Sequence, residues 1–126
     1  IVGKREADVI VAFEKMEALR WIEYLKQDGR MVINDFEIPS APIQQGIAEY
    51  PKGILEELIH KAKVSVFKAG EIAAKLGNSK TMNIVLLGAL TMNMPGIDWE
   101  AVIKANVKKG FEEINIKAFR AGSEQV

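Results

Sequence analysis

Hydrophobic positions along this chain follow two different periods, and the switch between them predicts two kinds of structure. Val9-Ile10-Val11-Ala12-Phe13 is a short continuous apolar run, which predicts a strand buried on both faces in a parallel sheet. Over residues 14–26 the spacing turns helical, with Leu19, Ile22 and Leu25 at three-residue steps, and Asp28-Gly29 reads as a chain reversal that stops the helix. Met31-Val32-Ile33-Asn34 is the next apolar run. Strand, helix and strand then form one βαβ unit with a right-handed crossover. Residues 35–50 contain Pro39, Pro42 and Gly46 and hold no period, so a long loop is expected, with a short strand at residues 47–49.

Pro51 suits the first turn of a helix running to about residue 62, with Ile54, Leu55, Leu58 and Ile59 on its buried stripe. Lys63-Val64-Ser65-Val66-Phe67 alternates polar and apolar, the pattern of a strand with one wetter face near a sheet edge. Beyond Lys68 only helical spacing remains. Helices are expected at residues 69–76 closed by Gly77, 80–94 closed by Pro95-Gly96, 99–108 capped by Asp98, and 111–121 ended by Gly122. Trp99, Val102, Ile103, Asn106 and Val107 form one amphipathic stripe, and Phe111, Ile114, Ala118 and Phe119 form another. The expected fold class is α/β: a Rossmann-like, open, mostly parallel sheet with flanking helices and a helical C-terminal third.

A length of 126 residues limits the chain to one domain or part of one, and the reading taken is a single partial domain over residues 1–126. Hydrophobic residues at 48% and charged residues at 27% describe an ordinary globule and exclude a disordered tail. Seventeen basic against seventeen acidic residues give a formal charge of zero, so no electrostatic footprint points to nucleic acid or a membrane surface. Cysteine is absent, which excludes a thiol nucleophile, a Cys zinc site and an iron–sulfur cluster within the chain, and a reducing cytoplasm fits. The start, IVGKREAD, has neither an initiator Met nor a signal peptide, as expected of a piece beginning inside a domain. The longest apolar stretch, residues 82–94, is interrupted by Asn83 and Asn93 and falls short of the roughly 20 residues that cross a bilayer.

Candidate chemistry is sparse. Gly77-Asn78-Ser79-Lys80-Thr81 resembles the end of a phosphate-binding loop but lacks its first Gly; the plainer reading has Gly77 ending one helix and Asn78 or Ser79 capping the next. His60 is the single histidine, with Glu56 one turn earlier and Lys61 and Lys63 beside it, and is read as lying on a solvated helix face. Neighbouring acids at Glu56-Glu57 and Glu112-Glu113 diverge on a helix and form no proton-sharing dyad. No catalytic residue and no metal ligand is assigned.

Met82-Asn83-Ile84-Val85-Leu86-Leu87-Gly88-Ala89-Leu90-Thr91-Met92 is apolar nearly all round, so it must lie under the last two helices or face another subunit. Gly88 would permit close backbone approach in either case, and Asn83 would need a partner for its amide if dry. Glu14 and Asn34 fall beyond the carboxyl ends of the first two strands, where open α/β sheets bind ligands. Residues 31–51 hold three acids, Asp35, Glu37 and Glu49, and no Lys or Arg. A phosphate-bearing ligand held by this loop would need its charge balanced by backbone amides or another chain.

Ala7-Asp8-Val9-Ile10-Val11-Ala12-Phe13-Glu14 with Glu17-Ala18-Leu19-Arg20, then Ile47-Ala48-Glu49-Tyr50-Pro51, then Leu76-Gly77-Asn78 and Asn83-Ile84-Val85-Leu86-Leu87-Gly88-Ala89-Leu90, together resemble the gamma-type domain of 2-oxoacid:ferredoxin oxidoreductases. Among these the resemblance is to the small (beta) subunits of indolepyruvate oxidoreductases, and it covers about residues 1–119. It implies a subunit of an anaerobic enzyme that decarboxylates an aryl 2-oxoacid, joins the acyl unit to coenzyme A (CoA) and passes two electrons to ferredoxin. It also implies that thiamine diphosphate and the iron–sulfur clusters belong to a large (alpha) partner subunit. The family's domain opens with a Gly-rich strand–loop–helix, G-x-G-G-Q-G, which would precede Ile1.

The function expected is a noncatalytic one: a small subunit that helps wall the active site or CoA entrance and docks on the large subunit. Glu14 and Asn34 are the ligand-side candidates; Asn83 and Gly88 are the subunit-interface or buried-polar candidates. The alternative is a stand-alone Rossmann-like domain that binds a small ligand or self-associates. An independent NAD-dependent dehydrogenase would require a Gly-rich loop upstream.

Overall fold

The computed structural model describes residues 1–92 and 94–126. They form two compact units, Ile1–Val66 and Phe67–Val126. The first holds the sheet. Strand β1 (Ala7–Ala12) leads through helix α1 (Lys15–Trp21) and a 3₁₀ turn (Ile22–Tyr24) into strand β2 (Leu25–Asn34). A short helix α2 (Ala41–Gln44) and helix α3 (Ile54–Lys61) precede strand β3 (Lys63–Phe67). The strand order is β1-β2-β3. Strands β1 and β2 run parallel, with Val9 opposite Arg30 and Ala12 opposite Ile33, as a crossover through a helix requires.

The run at residues 31–33 lies in β2, the central strand of the described sheet, where burial on both faces rewards apolar residues at every position. The run at residues 9–13, expected to be buried on both faces, instead supplies β1 at the sheet edge: most of its residues are half-buried, and Phe13 lies outside the strand and is exposed. Met31, Val32 and Ile33 are fully buried, and Ala12, Ala18, Leu25, Met31, Ile33, Ile54 and Leu58 form one core beneath α1 and α3. Asp28-Gly29 is not a reversal. Helix α1 ends at Trp21, and β2 continues through both residues. The ladder instead shifts register, with Ala7 opposite Leu25 and Val9 already opposite Arg30. Gly29 serves close packing here: a Cβ would lie 2.7 Å from Leu25 Cδ1 and 3.1 Å from the Asp8 carbonyl oxygen. Three further expectations fail in this unit. Residues 47–49 form no strand, and α3 starts at Ile54 behind a left-handed Gly53, so Pro51 lies outside it. Ile59, expected on the buried stripe of α3, is exposed, because the core face is met by Ile54 and Leu58.

The second unit is helical: α4 (Ala69–Lys75), a 3₁₀ turn (Ser79–Thr81), α5 (Met82–Thr91), α6 (Trp99–Asn106) and α7 (Glu112–Ser123). Gly77 takes φ +103° to end α4, and Asn78 Oδ1 accepts the Lys80 N–H at 3.0 Å to start the next turn. The plain capping reading of residues 77–81 therefore holds. Helix α5 packs chiefly on α7, with Val85, Leu86, Gly88 and Ala89 buried. Its one buried hydroxyl, on Thr91, donates back to the Leu87 carbonyl at 3.0 Å, which removes the cost of an unmet polar group. Asn93, expected as an interruption of the apolar stretch, lies outside the described residues.

Candidate functional site

Glu14 and Asn34 share no sequence motif, yet they come together where β1 and β2 end. Glu14 occupies the N-cap of α1 in an extended conformation, and one carboxylate oxygen accepts the Glu17 N–H at 2.9 Å. The other accepts the Tyr50 hydroxyl and, at 3.4 Å, the Ile38 N–H. Tyr50 in turn accepts the Met16 N–H at 3.1 Å. Asn34, the last residue of β2, is 2% exposed and donates its amide to the Phe13 carbonyl at 3.1 Å. Phe36 N–H donates to the Asn34 carbonyl at 2.8 Å and Lys15 N–H to the Phe36 carbonyl at 3.1 Å. The crevice residues thus fix the geometry of two strand-end turns and the loop above them.

Burial pushes the Glu14 carboxyl up, but the Tyr50 hydroxyl and the N–H groups of Glu17, Met16 and Ile38 outweigh it and hold the group below the usual carboxylate range. Burial and the Glu14 carboxylate push the Tyr50 hydroxyl well above its ordinary value. Each change favours the carboxylate and the neutral phenol, the states that make the cap. A carboxylate that accepts so many hydrogen bonds is a weak base, and a phenol held so far above its ordinary value is a weak acid. The arrangement suits positioning.

The acidic loop gains a cation from outside its own sequence. Lys15, on the first turn of α1, reaches Glu37 at 2.7 Å and Asp35 at 3.5 Å. The expectation that this loop has no cation is corrected, because helix α1 delivers one across the strand ends. Lys15, Glu37, Tyr50, Lys52, Ile54 and Glu56 line an open cleft of about 430 Å³. The Lys15 charge is already met by two acids, so the cleft offers a polyphosphate little net attraction. Lys15 lies in no motif, and Tyr50, although part of the block at residues 47–51, has no role assigned to it there; the weak signal available was a buried acid at a strand end, which needs donors.

The other candidates part company. Asn83 is exposed on the first turn of α5 and lines a cleft of the second unit, so its amide is not buried within this chain. Gly88 is buried against α7: a Cβ there would collide with the Phe119 carbonyl, so its close approach is made inside the chain. His60 is exposed on α3, as expected. Among the described residues no group of three or more His, Cys, Asp or Glu could hold a metal ion, and no helix is long and apolar enough to cross a membrane.

Comparison with known proteins gives this geometry its context. Residues 2–125 match the family model described as pyruvate ferredoxin/flavodoxin oxidoreductase. The chain belongs to that family. Among relatives of the pyruvate ferredoxin/flavodoxin oxidoreductase family, indolepyruvate oxidoreductase subunit IorB of Pyrococcus horikoshii is 39% identical over 97% of this chain and 64% of its own length. The same-named subunit of Thermococcus kodakarensis is 37% identical over the same shares. The 2-oxoglutarate synthase subunit KorC of Methanothermobacter marburgensis is 28% identical over 94% of this chain and 61% of its own length. The chain therefore spans just under two thirds of the curated relatives it matches. The gamma subunit of keto/oxoacid ferredoxin oxidoreductase from Geobacter sulfurreducens superposes with a TM-score of 0.68 at 20% identity, covering 94% of this chain and 63% of that one. Pyruvate oxidoreductase subunit PORC from Thermotoga maritima gives 0.65 at 22% identity, over 95% and 64%. At these identities the structural likeness is one of fold, and it is the mostly parallel α/β fold expected.

Proposed function

We propose that this chain is part of the small subunit of a 2-oxoacid:ferredoxin oxidoreductase whose substrate is indolepyruvate, and that it performs no chemistry itself. In this reading it is a portion of a gamma-type domain that walls the active-site or CoA entrance and docks on the large subunit in the cytoplasm. The large subunit carries thiamine diphosphate and the iron–sulfur clusters and passes electrons to ferredoxin. The observation that carries the reading is 39% identity, across 97% of the chain, to a protein named as a subunit of indolepyruvate oxidoreductase.

Two features of the chain support it. Iron–sulfur clusters are held by cysteine thiolates, and this sequence has no cysteine, so the residues present do not fit a cluster. The strand-end residues Glu14, Asn34 and Tyr50 are locked by hydrogen bonds, which suits a wall that holds its shape and not a proton carrier.

The test is co-expression of the full-length small-subunit gene with its candidate large-subunit gene, followed by anaerobic size exclusion with light scattering and assay of indolepyruvate- and CoA-dependent dye reduction. A stable hetero-complex whose turnover needs both chains is expected. A small subunit that stays alone after mixing, or that turns over the oxoacid alone, would overturn the reading.

A further inference from the structure

The cleft on which Asn83 opens is built wholly from the second unit and has no part in the strand-end site. It measures about 570 Å³, within the range of small-molecule sites. Its walls are of two kinds. Ile84 and Leu87 from α5, Val102 from α6 and Phe111 before α7 supply apolar surface, and Val102 and Phe111 remain 43% and 42% exposed. Around them stand the amides of Asn78, Asn83, Asn106 and Asn115 and the ammonium groups of Lys80 and Lys108.

The charge pattern is one-sided. No acid lines the cleft, and neither Lys80 nor Lys108 has a carboxylate partner among the described residues. Lys108 instead stands 6.0 Å from the centre of the Phe111 ring, which places a cation at the edge of the apolar wall. Asn106 and Asn115 use their N–H groups on the carbonyls of Val102 and Phe111, each at 2.8 Å, so their orientation is fixed. The Asn83 amide makes no hydrogen bond among the described residues and has two donors to offer. In a molecule of zero net charge, two unpaired cations and a free amide beside an apolar wall select for one sign of ligand.

We propose that this cleft binds an apolar organic monoanion of aryl-carboxylate size, its ring against Ile84, Leu87 and Phe111 and its charged end toward Lys80, Lys108 and Asn83. A neutral ring of the same shape would keep the apolar contact and lose the charge-assisted hydrogen bonds. A cationic one would meet repulsion from both lysines.

The probes are naphthylacetate, naphthylethanol and naphthylethylamine, titrated by calorimetry into the full-length small subunit and into its complex with the large subunit. Amide shifts in the small subunit map the site. The anion is expected to bind about tenfold or more tightly than the alcohol, equal to about 1.4 kcal/mol, and the amine weakest, with shifts at Asn83, Asn106 and Phe111. Asn83→Asp, and separately Lys80→Gln with Lys108→Gln, should each remove that preference by weakening naphthylacetate far more than naphthylethanol. All three positions are exposed, and an unaltered thermal midpoint checks that the fold is kept. Equal binding of the three probes, shifts mapping elsewhere, no detectable binding at millimolar probe, or loss of the site in the complex would each overturn the proposal. None of these results bears on whether the two subunits associate.

Discussion

Tyr50 fastens the loop over the strand ends to the start of α1 through a single hydroxyl, which donates to Glu14 and accepts from Met16 N–H at 3.1 Å. Tyr50→Phe leaves a 4% exposed carboxylate with one donor fewer, a loss of about 1–3 kcal/mol, read from the urea midpoint. The pH dependence has two limbs. The Glu14 carboxyl is lowered from 4.5 in the folded chain, so its contribution is present above that unfolded value and is lost as pH falls through the lowered one. The Tyr50 hydroxyl is raised from 10.0, so its contribution is full below pH 10.0 and is lost as pH rises toward the raised value. Tyr50→Phe should therefore abolish the alkaline limb and flatten the acid one in stability measured against pH. An unchanged alkaline limb would show that the hydroxyl is not held as described.

At the scale of elements, α5 and α7 touch backbone to backbone. A Cβ on Gly88 would strike the Phe119 carbonyl, and one on Gly122 would strike the Val85 carbonyl. Gly88→Ala and Gly122→Ala should each lower stability by about 1–3 kcal/mol, although alanine is the better helix former by about 1 kcal/mol. Gly70, in the first turn of α4, is the contrast: its nearest foreign atom would be Met82 Sδ at 3.6 Å. Gly70→Ala should be neutral or stabilise by up to about 1 kcal/mol. Thermal melts of the three variants check the ordering. Asp98 caps α6 by accepting the Ala101 N–H at 3.0 Å, and Asp98→Ala should lose about 1 kcal/mol, recoverable in large part by Asp98→Ser. Sequence marked this cap correctly because capping is local, needing only an acid before a helical stripe. It misplaced the end of α1 for the opposite reason. Asp28-Gly29 has the local chemistry of a turn, and only the neighbouring strand, whose Asp8 carbonyl lies against Gly29, shows that it belongs to a ladder.

For the whole molecule, the absence of thiols sets an expectation about metal content. A polypeptide of residues 1–126, purified anaerobically, should hold no iron–sulfur cluster; stoichiometric iron and sulfide on it would contradict the expectation. The sequence by itself determined the fold class, the parallel pairing of the first two strands, the helical second half and the lack of cluster ligands, because periodicity and residue chemistry act over a few neighbouring positions. It also placed Glu14 and Asn34 at the strand ends. Tertiary structure alone decided what those residues do. Tyr50 reaches Glu14 from 36 residues away and Lys15 reaches Glu37 from 22, and such meetings depend on where the chain returns, which no local pattern encodes. The same holds for Gly88, whose missing side chain gains its meaning only from the carbonyl of Phe119 lying across it.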